Sequence, residues 1–264
     1  MDLKIKDKRA VVSGSTAGIG LAIAQSLAAE GADVIINGRT QSRVDEAIAH
    51  VRRSHPQAKV RGVAADLGTI AGVENFTAAV ATADVLVNNL GIFEPKPFTE
   101  IPDADWFRFF EVNVMSGVRM SRFYLPGMIK QNWGRIVFIS SESAVNTPVE
   151  MIHYGMTKTA QLALSRGLAE MTVGTHVTVN TVLPGPTRSE GVEQFLKDLA
   201  HSRKMDEKSI ETEFFKNVRP SSLIKRFATS EEVAAMVTYI CSPLASATNG
   251  AALRVDGGVV QSIV

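Results

Sequence analysis

The feature that most constrains this chain lies fourteen residues in. Ala10-Val11-Val12-Ser13 is a short apolar run of the kind that forms a buried parallel strand, and Gly14-Ser15-Thr16-Ala17-Gly18-Ile19-Gly20 follows it at once. From Ile19 to Glu30 the composition and periodicity turn helical. Strand, glycine turn and helix in that order make a dinucleotide cradle. Gly14 permits the tight turn, Gly18 lets a phosphate approach the backbone, and Gly20 lets the helix lie close on the strand. The first helical N–H groups then offer donors and a positive dipole end to a pyrophosphate. The spacing is G-x-x-x-G-x-G, and an ordinary glycine-rich turn is the plain alternative.

Strand and helix signals continue to alternate. Asp33–Asn37 reads as a second strand and Gln41–Arg53 as a helix that Pro56 breaks. Lys59–Ala64 and Asp84–Asn88 read as the third and fourth strands. A long helical stretch covers Asp103–Gln131, with Pro126 marking a bend or break. Strands at Arg135–Ser140 and Val177–Val182 flank a helix that ends near Met171. A helix at Ser230–Ser242 and a strand at Ala252–Val255 close the series. This alternation predicts an α/β fold, a three-layer, doubly wound parallel sheet of about seven strands in a single domain. A chain of 264 residues, 45% hydrophobic, is long enough to bury one such core.

A second constellation carries chemistry. Tyr154 and Lys158 stand four residues apart on one helix face, in Tyr154-Gly155-Met156-Thr157-Lys158. A cation near a phenol favours the phenolate, and a phenol so tuned can exchange a proton with a carbonyl or an alcohol oxygen. Ser141 ends the apolar run at 135–140, thirteen residues before Tyr154, and Asn113 lies in the long helical stretch. Singly, a strand-end serine and a helix-capping amide are the plainer readings.

Taken together these residues resemble the short-chain dehydrogenase/reductases over nearly the whole chain, and the bacterial 3-oxoacyl-thioester reductase-like members in particular. The matching elements stand in family order. They are Gly14–Gly20, Asp66, Asn88-Asn89-Leu90-Gly91, Asn113, Ser141, Tyr154, Lys158, Pro184-Gly185-Pro186-Thr187 and Val255-Asp256-Gly257-Gly258. The resemblance implies that Tyr154 is the general acid or base, and that Lys158 lowers its pKa and binds the nicotinamide ribose. It implies that Ser141 holds the substrate oxygen and that Asn113 holds a relay water. It also implies cofactor contacts from Gly14, Ser15, Thr16, Gly18, Ile19, Gly20, Arg39, Asp66, Leu67, Asn89, Gly91, Pro184, Gly185 and Thr187. Asp66 would orient the adenine, unless it only caps the helix after Leu67-Gly68-Thr69. Thr187 would fix the carboxamide. A homotetramer is usual in the family.

Asn37-Gly38-Arg39 places no acid where the family commonly carries one, and Arg39 suits a 2′-phosphate. Ser15 and Thr16 would add hydroxyl donors. NADP(H) is therefore expected over NAD(H). Leu90 stands where the family usually has Ala, and either shifts the adjacent loop or repacks. Glu142, Glu150 and His153 either line a polar pocket suited to a basic or hydroxylated substrate or face solvent or a partner. Residues 188–224, with Phe195, Leu196, Leu199, Phe214 and Phe215 among many charges, form a mobile helical lid, a surface insertion or an oligomer contact.

A net charge of +1 gives no bias toward nucleic acid or membrane, and no run of 18 apolar residues exists. The charged stretch Met1–Arg9 lacks the apolar core of a signal peptide. The single cysteine, Cys241, excludes an intramolecular disulfide and reads as a packed helix residue, so a cytoplasmic location is expected. The five histidines lack metal-ligand spacing. The expected activity is interconversion of a small-molecule carbonyl and a secondary alcohol. A nucleotide-binding sensor with little turnover, and an epimerase, dehydratase or enoyl reductase on the same scaffold, are the competing classes.

Overall fold

The computed structural model describes residues 1–193, 196, 200 and 206–263. Its centre is a seven-stranded parallel sheet. In chain order the first six strands are β1 Arg9–Val12, β2 Asp33–Gly38, β3 Val60–Ala64, β4 Val85–Asn88, β5 Gly134–Ile139 and β6 Val177–Pro184. The short β7 Thr187–Arg188 and β8 Ala228–Thr229 pair with each other outside the sheet, and β9 Ala252–Val255 completes it. The sheet order is β3-β2-β1-β4-β5-β6-β9, so the winding reverses between β1 and β4. Ligands of doubly wound sheets bind at that reversal, outside the carboxyl ends of the strands.

Alternation along each strand builds the two cores. In β1, Ala10 and Val12 face α1 (Gly18–Ala29), α2 (Gln41–Ser54) and the late helix Ser230–Ile240. Val11 faces the opposite layer of α3 (Ile70–Ala79), α5 (Ser116–Lys130) and α6 (Ile152–Glu170). Strand residues buried on both faces explain the unbroken apolar runs in the sequence. No helix of the described residues is long and apolar enough to cross a membrane.

Most predicted elements stand within one or two residues of their sequence ranges, with three exceptions. Helix α3 is added, capped by Thr69, whose hydroxyl accepts from the Gly72 N–H at 3.0 Å. Asp66 is therefore not the cap. The stretch 103–131 is not one helix bent at Pro126. It is α4 (Asp103–Phe110), one π-turn at Glu111–Met115, and α5, which continues through Pro126. Leu125 and Met128 are buried and hold that turn of helix in place despite the donor the proline removes. The third exception lies within 188–224. The described part includes α7 (Glu207–Asn217) and a small apolar cluster of its own, with Leu196, Ala200, Ile210, Phe215 and Phe227. Phe195 and Leu199 lie outside the described residues. The remaining helix, Ser230–Ile240, is α8, begun by a capping box between Thr229 and Glu232. Cys241 follows it, fully buried, with its thiol pushed up to about 12 by burial, as a packing residue requires.

Candidate active site

The carboxyl ends of β1, β4, β5 and β6 share one rim, and the loops leaving them wall a cavity of about 530 Å³. On its β1 side the glycine turn is held from below. Ser15 is fully buried, donates to the Val12 carbonyl at 2.7 Å and accepts from the Asn37 N–H at 2.9 Å. Asn37 in turn accepts from the Gly14 N–H and donates to the carbonyls of Val63 and Ala65. Asn89 donates to the carbonyls of Ser13 and Gly14 at 3.0 and 2.9 Å. A Cβ at Gly20 would lie 2.4 Å from the Gly14 carbonyl oxygen and 2.5 Å from the Asn89 amide, so only glycine fits. Ala17, the residue before α1, makes no side-chain cap. The first N–H groups of the helix are thus left to a ligand, and this donor set fits a dinucleotide pyrophosphate.

Several sequence expectations change here. The Ser15 hydroxyl is engaged inside the turn, with the Val12 carbonyl and the Asn37 N–H. Thr16 packs its methyl over Gly38, where a Cβ would meet it at 2.4 Å. Leu67 buries its side chain in the core, leaving only its backbone near the rim. Leu90 packs against the same core. Asp66 and Arg39 are exposed, and Gly185 lies so near Asp256 that a Cβ there would meet its backbone at 2.5 Å. Pro184, Gly185, Thr187 and Ile19 line the cavity as expected, and the Thr187 hydroxyl donates to the Gly185 carbonyl.

Opposite, Ser141 follows β5, Tyr154 and Lys158 rise from the first turns of α6, and Asn113 sits in the π-turn, a distortion that recurs at functional sites. Lys158 is buried, with Nζ 5.6 Å from the centre of the Tyr154 ring. Its Nζ donates to the Ile139 carbonyl at 2.9 Å and to Gln161 Oε1 at 3.4 Å. Burial pushes its pKa down to about 7. Tyr154 is half-buried against Phe93. Desolvation holds its phenol above the ordinary value, a hydrogen bond with Ser141 opposes the rise, and the Glu142 charge adds to it. The expected lowering by Lys158 is not among these influences, and burial sets the direction. Gly91 touches both neighbours, since a Cβ there would lie 3.3 Å from Lys158 Nζ and 3.4 Å from Asn113 Oδ1.

Asn113 is held firmly in place. Its side chain pairs with the Ile92 backbone and with Thr157. Its carbonyl accepts from Gln161 Nε2 at 2.5 Å. Gln161, which the motif pattern did not mark, therefore bridges Lys158 to Asn113. One turn beyond Lys158 on the same helix face, its spacing is the signal that would have found it.

Of the three polar residues beside the motif, two reach the cavity. Glu142 is buried against Ser141, whose hydroxyl donates to Glu142 Oε2 at 2.5 Å. Glu150 lies further out, and Arg219, just beyond α7, pairs with both carboxylates at 3.4 and 3.0 Å. His153 is fully buried between Phe109 and Trp106, with neither ring nitrogen bonded. Burial lowers its pKa, so it is a neutral core residue and not part of the pocket. Among the described residues no group of His, Cys, Asp and Glu is arranged to hold a metal ion.

Comparison with known proteins places this geometry. The short chain dehydrogenase family model matches residues 8–200. YvaG of Bacillus subtilis, an uncharacterized oxidoreductase, is 52% identical over the full length of both chains. The 3-oxoacyl-[acyl-carrier-protein] reductase FabG of Aquifex aeolicus is 32% identical, covering 98% of this chain and 100% of its own. The crystal structure of L-sorbose reductase from Gluconobacter frateurii, complexed with NADPH and L-sorbose, superposes with a TM-score of 0.93 at 32% identity, covering all of both chains. With a dinucleotide turn on one side of the cleft and a serine, tyrosine and lysine on the other, this chain belongs to the short-chain dehydrogenase/reductase family and is an NAD(P)-dependent dehydrogenase/reductase.

Proposed function

We propose that the protein interconverts a ketone and a secondary alcohol with NADP(H), and that Tyr154 is the acid in reduction and the base in oxidation. Ser141 and Tyr154 line one cavity beside the glycine turn, with the buried Lys158 behind the Tyr154 ring, and this arrangement carries the reading. When bound, the nicotinamide supplies a hydride in one direction and takes it in the other. In reduction the Tyr154 O–H bond breaks, and its proton goes to the carbonyl oxygen as that oxygen gains charge. Desolvation above the ordinary phenol range keeps this proton in place until then. Lys158, brought near neutrality, restores it, its ammonium held by the Ile139 carbonyl and by Gln161, which in turn donates to the Asn113 carbonyl. Lys158 also faces the expected position of the ribose hydroxyls, and Thr187 that of the carboxamide. The family's NADPH-bound member L-sorbose reductase supports the cofactor reading. So does Arg39, which has no partner among the described residues and no acid beside it at positions 37–40.

Residues 188–224 act in this reading as a substrate lid, because Val192, Ile210 and Phe214 line the cavity. Exposed Phe107, Phe110, Phe123 and Met156 on α4, α5 and α6 support the homotetramer. The free, buried thiol of Cys241 supports a cytoplasmic location.

The test is NADPH consumption over a panel of ketones, aldehydes and 3-oxoacyl thioesters. Tyr154→Phe is expected to lower kcat/KM by about 10²–10⁴, the worth of a positioned general acid, while still binding NADPH. Turnover undiminished in that variant would overturn the assignment of Tyr154. Nucleotide binding with no turnover of any carbonyl would favour the sensor class.

A further inference from the structure

Ser141 has one hydrogen to give and two lone pairs to receive. The hydrogen goes to Glu142 Oε2 at 2.5 Å rather than to the neighbouring Tyr154 oxygen, and one lone pair receives the Ser143 N–H at 3.1 Å. A ketone oxygen is an acceptor only. While Glu142 holds the serine hydrogen, Ser141 has nothing to donate to it. Arg219 faces the other oxygen of the buried Glu142 at 3.4 Å. Arg219 is itself nearly enclosed, with its side chain 12% exposed, and is the sole basic side chain among the described residues lining the cavity. Glu142 and Glu150 line the same space, and Arg219 faces both carboxylates.

Glu142 thus lies one hydrogen bond beyond the serine that meets the reacting oxygen. That places it about 5 Å from this oxygen, two hydrogen-bond lengths away. A hydroxyl on the carbon next to the carbonyl reaches that far. Such a hydroxyl can replace Ser141 as donor to the carboxylate, and the displaced serine hydrogen then turns to the carbonyl oxygen. The carboxylate keeps its donor count, and the oxyanion gains one.

Building on the ketone–alcohol reading above, we propose that Glu142, held by Arg219, selects uncharged ketones bearing a hydroxyl on the adjacent carbon, and that this hydroxyl releases Ser141 for catalysis. A plain ketone leaves the serine hydrogen on Glu142. A carboxylate in place of the hydroxyl brings a third negative group beside Glu142 and Glu150, with one arginine to balance them.

Three ketones matched in carbon skeleton test this: 1-hydroxy-2-butanone, 2-butanone and 2-oxobutanoate. Wild-type kcat/KM is expected to favour the hydroxyketone over 2-butanone by about 10- to 100-fold, the range for one hydrogen bond to a charged group, and to be lowest for the anion. Part of the preference appears in kcat, because Ser141 is released only by the hydroxyl. In Glu142→Leu the preference collapses from both sides, as the hydroxyketone slows and 2-butanone quickens with Ser141 free. Glu142→Gln keeps an acceptor, so it keeps the hydroxyl preference and loosens the exclusion of 2-oxobutanoate. Arg219→Gln weakens the preference and Arg219→Lys restores most of it. Titration of NADPH fluorescence confirms that each variant is folded. A wild type that favours 2-butanone or 2-oxobutanoate, or a hydroxyl preference that survives in Glu142→Leu, overturns the proposal while leaving the ketone reductase reading intact. Failure to turn over any carbonyl removes both.

Discussion

The two walls of the cleft use buried polar groups in opposite ways. On the β1 side, Ser13, Ser15, Asn37 and Asn89 are uncharged, and their hydrogen bonds run to backbone or to one another through backbone atoms. They shape a turn. On the β5–α6 side the buried groups are Lys158, Glu142 and Arg219, and they are ionisable. Arg219 has two carboxylates facing it, whereas Lys158 has a carbonyl and an amide. A neutral hydrogen-bonded wall costs little to bury, while a buried charge is destabilising unless matched. The first wall is therefore a stable mould for a cofactor, and the second holds strain that its chemistry uses.

Changing the pH should expose that difference most strongly. The folded pKa of Lys158, about 7, lies below the ordinary value of 10.5. Between these values the unfolded chain carries the proton and the folded chain does not, so stability rises with pH across the window. Below about 7 both states are protonated, and the full cost of the buried ammonium is present. Thermal or urea unfolding from pH 7 to pH 10 should show wild type gaining on Lys158→Met by up to about 1.4 kcal/mol per pH unit. Parallel curves for the two proteins would mean that Lys158 is solvated like a surface lysine. The contrast between the walls would then fail.

On the other wall the vulnerable quantity is space. Gly20→Ala puts a carbon within 2.4 Å of the Gly14 carbonyl, and neither atom can move without breaking the bonds of Asn89 and Asn37. The expected loss is about 1–3 kcal/mol with weakened NADPH binding, as for overpacking elsewhere. Gly167→Ala is the control. It lies inside α6 with nothing within 4 Å of its would-be Cβ, and it should stabilise by roughly 0.5–1 kcal/mol. A neutral Gly20→Ala would show that the turn yields more easily than its hydrogen bonds suggest.

The same division explains what could be read from sequence. The alternation of elements, the glycine turn and the Tyr154–Lys158 spacing are local patterns, and local patterns are legible. Gly20 announces a close approach because nothing else suits one. Helix α3 was obscured because its first turn carries no charge and Thr69, not Asp66, starts it. The π-turn at Asn113 has no sequence signature that separates it from α-helix. Arg219 was out of reach because it meets Glu142 across 77 residues, through a segment with no regular pattern. The drop in Lys158 and the rise in Tyr154 depend on how completely the fold excludes water, which spacing alone does not report.

The smallest expected effect tests where the cofactor wall ends and solvent begins. Arg39 is exposed at the end of β2, so its contact to a phosphate is screened and worth less than a buried one. Arg43, the next cation along, is already paired with Glu190 at 2.9 Å and is not free to take its place. Arg39→Ala should therefore weaken NADPH binding about tenfold, close to 1.4 kcal/mol, and leave NADH binding unchanged. Raising salt should shrink the difference between wild type and variant. Equal loss for both nucleotides would mean that Arg39 serves the turn rather than the 2′-phosphate. No loss for either would remove Arg39 from the nucleotide site, and any preference for NADP(H) would then rest on Gly38 alone. That glycine lies under the Thr16 methyl and leaves no room for the carboxylate that would favour NAD(H).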